Sequence, residues 1–160
     1  MLSQRGRYAL KAMLDLARVP HRQPRQVSGI ALDENIPRKF LEAIMSELRQ
    51  AGLVESVRGK LGGYRLARPA GLITFGEIMR ITDGPLALLP CVSHKFYRRC
   101  DDCADERACA LRRVMAVVRR EVSDVLDRTT LADAIDGSVP ELRELVEERA
   151  PVGADEHNQY

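Results

Sequence analysis

A mainly α fold carrying one small β-hairpin is what the sequence predicts, and three observations lead there. Apolar residues recur at helical spacing over most of the first fifty positions, in segments separated by turn signals. A glycine-rich basic stretch, Arg58-Gly59-Lys60-Leu61-Gly62-Gly63, lies between two segments of strand character, Leu53–Val57 and Tyr64–Ala67. Beyond residue 106 begins the longest helical pattern in the chain. Taken together these describe a winged helix-turn-helix followed by a long dimerisation helix.

The first helix places Leu10, Met13, Leu14 and Ala17 on one face at i, i+3, i+4, i+7. Lys11, Asp15 and Arg18 interrupt its apolar stretch, so the segment reads as an amphipathic helix and not as a leader peptide. Ser28 can cap a short second helix through Ile30 and Ala31. Asn35-Ile36-Pro37 breaks it, and Pro37 is suited to opening a third. That helix buries Leu41, Ile44, Met45 and Leu48, presents Arg38, Lys39, Glu42, Glu47 and Arg49, and ends at Gly52. Two short helices joined by a tight turn occur both in DNA-binding motifs and in folds that bind nothing. The hairpin that follows directly favours the first reading; the alternative is an ordinary hairpin whose glycines only make the turn. Its glycines let the backbone approach a phosphate or enter a minor groove, where Arg58, Lys60 and Arg65 supply positive charge.

Thr74-Phe75-Gly76-Glu77 has the form of a capping box, opening a helix with Ile78, Met79 and Ile81 that stops near Asp83-Gly84-Pro85. The long helix is expected from about Arg107 to Asp127. Leu111, Met115, Val118, Val122 and Val125 form its apolar stripe, with Arg112, Arg113, Arg119 and Arg120 outside it. Such a stripe can pack on its own domain or, on an arm with no intramolecular cover, pair with its copy to make a homodimer. Thr130-Leu131-Ala132-Asp133 starts a last short helix. The expected organisation is a winged-helix DNA-binding domain over residues 1–85 and a cysteine-rich loop over 86–109. The dimerisation helix and terminal helix follow over 110–136, then an acidic, disordered tail over 137–160.

Composition bounds the function. The chain has 160 residues with 45% hydrophobic side chains. No apolar run approaches the roughly 18 residues of a membrane span. A net charge of +2 conceals an asymmetry: residues 1–68 carry thirteen Lys/Arg against six Asp/Glu, while residues 133–160 carry two against eight. A basic N-terminal half suits a polyanionic partner, double-stranded operator DNA. No phosphate loop or Ser/His/Asp constellation is present, and His21, His94 and His157 are isolated, so catalysis is not expected. The expected compartment is cytoplasmic.

All four cysteines fall within nineteen residues, as Cys91, Cys100, Cys103 and Cys109 in a C-x8-C-x2-C-x5-C pattern. In a reducing compartment clustered cysteines favour metal or redox chemistry over structural disulfides. Ligands of one centre must converge, because thiolate sulfur sits about 2.3 Å from zinc and similarly close to iron. Four thiolates suit a 2Fe–2S or a 4Fe–4S cluster, or a structural zinc ion. A metal-free thiol switch, closing Cys100 with Cys103 or joining the flanking pair, is a further reading. His94 is the substitute donor if one cysteine is spare. Lys95, Arg98, Arg99 and Arg107 would offset thiolate charge and lower the thiol pKa values, or remain solvated loop charges.

Gly6-Arg7-Tyr8-Ala9-Leu10, Phe40-Leu41-Glu42, Leu48-Arg49-Gln50-Ala51-Gly52-Leu53-Val54 and the wing Val57–Leu66 resemble one family of winged-helix iron–sulfur regulators, that containing IscR, NsrR and RirA. The resemblance covers roughly residues 1–135. It implies a homodimer with a recognition helix in the major groove and a wing in the minor groove. By position, Lys39 and Glu42 would face base edges and Arg58 would enter the narrow groove; a carboxylate there can accept from a cytosine amino group. The family's sensors use three cysteines, matched by Cys91, Cys103 and Cys109, completed by a ligand that is not cysteine. The positions of that ligand hold Arg7 and Arg112, and a guanidinium has no lone pair to give. Cys100 departs from the family pattern and is the natural replacement.

Overall fold

The computed structural model describes residues 2–139; the part of the expected acidic tail from 140 to 160 lies outside them. Six α-helices and one hairpin follow in the order α1 (Gln4–Arg18), α2 (Val27–Asp33), α3 (Arg38–Gln50), β1 (Val54–Val57), β2 (Gly63–Leu66), α4 (Phe75–Thr82), α5 (Ala110–Arg128) and α6 (Leu131–Asp136). The strands pair antiparallel, with Val54 opposite Leu66 and Glu55 opposite Arg65. A mainly helical fold with a two-stranded wing is therefore what the chain adopts.

The core is built from the faces that the helical period selects. Leu10, Met13 and Leu16 of α1, Ile30 of α2, and Leu41, Ile44, Met45 and Leu48 of α3 are buried together with Leu53, Val54 and Leu66 of the hairpin. α3 starts after Pro37, and its last turn is closed by Ala51 and by Gly52, whose φ of 76° lies in the left-handed region that glycine adopts freely. α2 begins one residue before the expected cap. Gln26 stands at its N-cap with no side-chain cap bond, and Ser28 lies inside the first turn. What fixes this start is tertiary: Arg25 exchanges both backbone bonds with Tyr64 of β2 at 2.8 Å, so the chain enters α2 as a third edge of the wing. The Arg25 guanidinium grips buried Asp15 through two bonds of 2.8 and 2.9 Å and reaches Asp33, joining α1, α2 and the wing. Those two carboxylates, Asp15 first, push its pKa up.

Gly63 allows this approach, because a Cβ there would lie 2.1 Å from the Arg25 carbonyl oxygen. Gly63→Ala is accordingly expected to lower the unfolding free energy by ~1–3 kcal/mol, through forced separation of wing and α2. Urea denaturation against Gly59→Ala checks it, since a Cβ at Gly59 meets nothing within 4 Å although its φ of 114° is also strained for alanine.

α4 opens with the complete Thr74–Glu77 capping box, and α6 with the Thr130–Asp133 one. Sequence grouped α6 with the long helix, but its buried Leu131 joins the first core beside Ile73 and Ile78, and its backbone N–H bonds the Ile73 carbonyl at 3.0 Å. The chain thus leaves the winged helix after α4, forms the cysteine loop and α5, and returns to the same core. At the N-terminus of α1, the Asp83 carboxylate accepts from the Ser3 backbone N–H at 2.9 Å; a Cβ on Gly6 would lie 2.6 Å from it. Gly6 of the family-like Gly6–Leu10 run is the residue whose missing side chain makes room for the segment closing α4.

Candidate nucleic-acid interface and cysteine pocket

α3 exposes Arg38, Lys39 and Glu42 on the face opposite its buried stripe, as the 3.6 period requires. Arg38 Nε donates to Glu42 Oε1 at 2.9 Å, an i,i+4 pair that orients the carboxylate along the helix surface. Lys39 carries no ion pair among the described residues. On the wing, Arg58 and Lys60 are exposed and likewise unpaired, whereas Arg65 donates from Nε and Nη2 to Glu55 across the strands at 3.1 and 2.9 Å. The wing tip is held inward by Gln26, whose Nε2 bonds the Lys60 carbonyl at 3.2 Å. Three of the six basic or acidic groups expected to meet DNA are therefore free charges, and three are already engaged within the chain.

The four cysteines all line one open pocket of about 570 Å³, together with Leu89, Asp102, Ala104, Asp105, Ala108, Leu111 and Arg112. Cys91 is buried in the short 3-10 helix Pro90–Val92, while Cys100, Cys103 and Cys109 are half-buried; all four are free thiols. They interact as neighbours, Cys100 with Cys91 and more weakly with Cys103, and Cys103 with Cys109. Among the described residues no three His, Cys, Asp or Glu side chains stand close enough to hold a metal ion as placed. Between Ser93 and Ala108 the loop contains neither helix nor strand, so moving the thiols together requires no element to unfold.

This proximity also reverses one electrostatic expectation. The hydrogen bond to Cys91, then partial desolvation, raises the Cys100 thiol pKa. Partial desolvation, then the charge of Cys109, raises that of Cys103. Arg99 opposes the rise at Cys103 without cancelling it. Arg99 donates to the carbonyls of Cys103 and Ala104 at 2.7 and 2.9 Å, and His94 and Lys95 line a different pocket. His94 is accordingly not among the side chains gathered with the cysteines.

Cys109 is the N-cap of α5, its Sγ accepting from the Arg112 backbone N–H at 3.4 Å. This cap explains why the helix starts at Ala110, three residues later than expected. The Arg112 guanidinium donates to the Cys91 carbonyl at 3.3 Å, so one residue ties the first and last cysteines. Sequence could exclude Arg112 as a ligand but gave no sign of this bridge, which depends on the two loop ends meeting.

At its far end α5 is clamped to α4. Arg80 donates to both oxygens of Asp127 at 2.5 and 2.7 Å, and Gly76 clears the space, since a Cβ there would lie 2.0 Å from Asp127 Oδ1. Ser123 is the buried residue of α5, whereas Leu111, Val114, Val117, Val122 and Val125 are exposed. Leu111, Val114, Val118, Val122 and Val125 fall within one helical stripe, turned by more than a quarter of the circumference from Ser123. No helix among the described residues is long and apolar enough to cross a membrane.

A family model described as "Rrf2: Iron-dependent Transcriptional regulator" matches residues 2–137. A putative HTH-type transcriptional regulator, rrf2-like, of Rhodobacter capsulatus is 41% identical over 143 residues, covering 88% of this chain and 95% of the relative. The solved structure of CymR, the global cysteine regulator of B. subtilis, superposes with a TM-score of 0.70 at 36% identity, covering 84% of this chain and 95% of that one. That of T. potens IscR does so with a TM-score of 0.66 at 30% identity, covering 96% and 93%.

Proposed function

The chain belongs to the Rrf2 family of HTH-type transcriptional regulators, and from that premise we propose that it is a homodimeric, cytoplasmic operator-binding repressor controlled at Cys91, Cys100, Cys103 and Cys109, which hold an iron–sulfur cluster of the 2Fe–2S or 4Fe–4S type. The observation that carries this reading is that all four cysteines of the sequence line one pocket at the capped end of α5. Four soft thiolate donors, with Arg112 in the same wall to offset their charge, suit the group, and the irregular loop lets the thiols close on it. When bound, such a cluster supplies an iron–thiolate centre sensitive to iron supply, oxygen and nitric oxide.

The chain's own residues carry the consequence. Any shift of Cys109 moves the cap of α5, and Arg112 passes the same shift to Cys91. α5, about 28 Å long for its 19 residues, is anchored at its other end to α4 through Arg80 and Asp127. α4 packs on α1 and α3, so loop rearrangement bears on the recognition helix. Half-sites one helical turn apart demand a separation of roughly 34–36 Å, and a coupling of ~1–3 kcal/mol changes affinity ~5–150-fold.

On DNA, Lys39 and Glu42 read base edges, while Arg38, Arg58, Lys60 and Arg65 meet the backbone or the narrow groove. With an operator selected from a random duplex library, Glu42→Ala is expected to relax preference at one position by ~1–3 kcal/mol. Arg58→Ala is expected to weaken all sequences alike and to reduce the salt slope by about 1. Fluorescence anisotropy across a salt series separates the two; equal, sequence-independent losses in both variants would remove Glu42 from base readout.

The proximity of Cys91 to Cys100 and of Cys103 to Cys109 favours a second reading, a thiol switch in which each pair gives two electrons and two protons to an external oxidant such as a peroxide and closes to a disulfide. The test is operator affinity with dithiothreitol and with an iron chelator. Response to the chelator alone supports the cluster; response to the reductant alone supports the switch.

A further inference from the structure

A second cavity, of about 370 Å³, lies between the end of α4, the segment 84–96 and α5, and shares no lining residue with the cysteine pocket. Three cations, Arg80, Lys95 and Arg119, line it beside Ser93, His94 and Ser123, with no Asp or Glu among the lining residues. Arg80 is satisfied by Asp127, but Arg119 is not. Its Nε is buried and has no hydrogen-bond partner among the described residues. A guanidinium N–H shut away from water without an acceptor costs free energy that a bound anion would recover. The remaining wall is apolar, formed by Ile81, Pro85, Leu86 and Phe96. Ser123 lies on the flank of α5 facing its own chain, away from the exposed valine stripe.

We propose that this cavity is a binding site for a small organic carboxylate with a compact apolar body, and that its occupant acts as an effector of operator binding. The carboxylate meets Arg119 and Lys95, the two lining cations without an ion pair among the described residues, and the body fills the apolar wall; a guanidinium fork matches two carboxylate oxygens. Because the walls come from α4, the loop leading out of Cys91 and α5, the ligand's contacts depend on how these three are set, which is the requirement for shifting a conformational equilibrium. Binding itself is independent of any cluster; the effector role rests on the operator-binding reading above.

The test is calorimetric titration of the full-length, DNA-free protein with acetate, butyrate, hexanoate and phenylacetate, each beside its primary amide. Saturable binding of hexanoate or phenylacetate is expected, at least about tenfold tighter than the amide and about tenfold weaker in Arg119→Gln and in Lys95→Gln. Thermal unfolding of both variants verifies that they fold. Absence of binding across the panel, amides binding as well as acids, or indifference to both substitutions in folded protein would overturn the site. Operator affinity is then measured with and without the tightest acid. A change supports the effector role, and saturated binding with unchanged affinity, on an operator the protein demonstrably recognises, overturns that role alone.

Discussion

Cys103→Ala protein, purified without oxygen, is expected to lose the visible chromophore and the signal-dependent change in operator affinity. Four thiols line the pocket, and their neighbours are poor substitutes: His94 faces the other cavity, the basic residues cannot donate a lone pair, and Asp102 and Asp105 offer hard oxygen donors in place of a soft thiolate. Arg112 in particular is committed to the Cys91 carbonyl. Removing one of four donors should therefore cost the bound centre outright. The fold should survive, since Cys103 is half-buried in an irregular loop and lies outside the hydrophobic core; the change in unfolding free energy should stay within about 1 kcal/mol. Absorption spectra, iron content and thermal unfolding on the same sample separate ligand loss from misfolding. Full retention of iron and sulfide would take Cys103 out of the ligand set.

Val122→Glu is expected to convert the proposed dimer to a monomer and to weaken operator binding by about 10²–10⁴-fold, because one half-site then binds without its tethered neighbour. The side chain is 44% exposed within the chain, so a carboxylate there costs little to the isolated fold. In a two-fold interface the same substitution appears in both copies, and each buries an unpaired charge at a cost of several kcal/mol. Arg113→Glu, at an exposed position outside the stripe, is the matched control and should remain dimeric. Analytical ultracentrifugation followed by operator titration checks both. A Val122→Glu protein that stays dimeric would place the interface elsewhere.

Much of this architecture could be read from sequence because it rests on local rules. The buried faces of α1 and α3, the turn at Gly52, both hairpin strands and the capping boxes at Thr74 and Thr130 each follow from spacing or cap chemistry within a few residues. What escaped was set by distant partners. Ser28 is a good cap by type, yet the start of α2 is decided by Arg25 pairing with Tyr64 of the wing. α6 looked like an appendage of α5 because Leu131 meets Ile73 and Ile78 only once the chain has returned. Clustering of the cysteines was legible, but which of them would meet was not, nor was the raised pKa of Cys100 and Cys103. The number of nearby cations said nothing about which carbonyls or cavities those cations would occupy. Six candidate DNA contacts were legible as charged positions by pattern; that Arg65 is half-buried, and that Arg38 is paired with Glu42 and Arg65 with Glu55, depends on side-chain geometry.

The most direct test of the central claim is the metal and sulfide content of the wild-type protein purified under strict anaerobiosis. Iron and acid-labile sulfide in equal amounts, in a coloured protein that bleaches in air, is the expected result, and the iron count per chain then gives the cluster type. A colourless protein without iron, carrying either one zinc ion per chain or four titratable thiols, would contradict it.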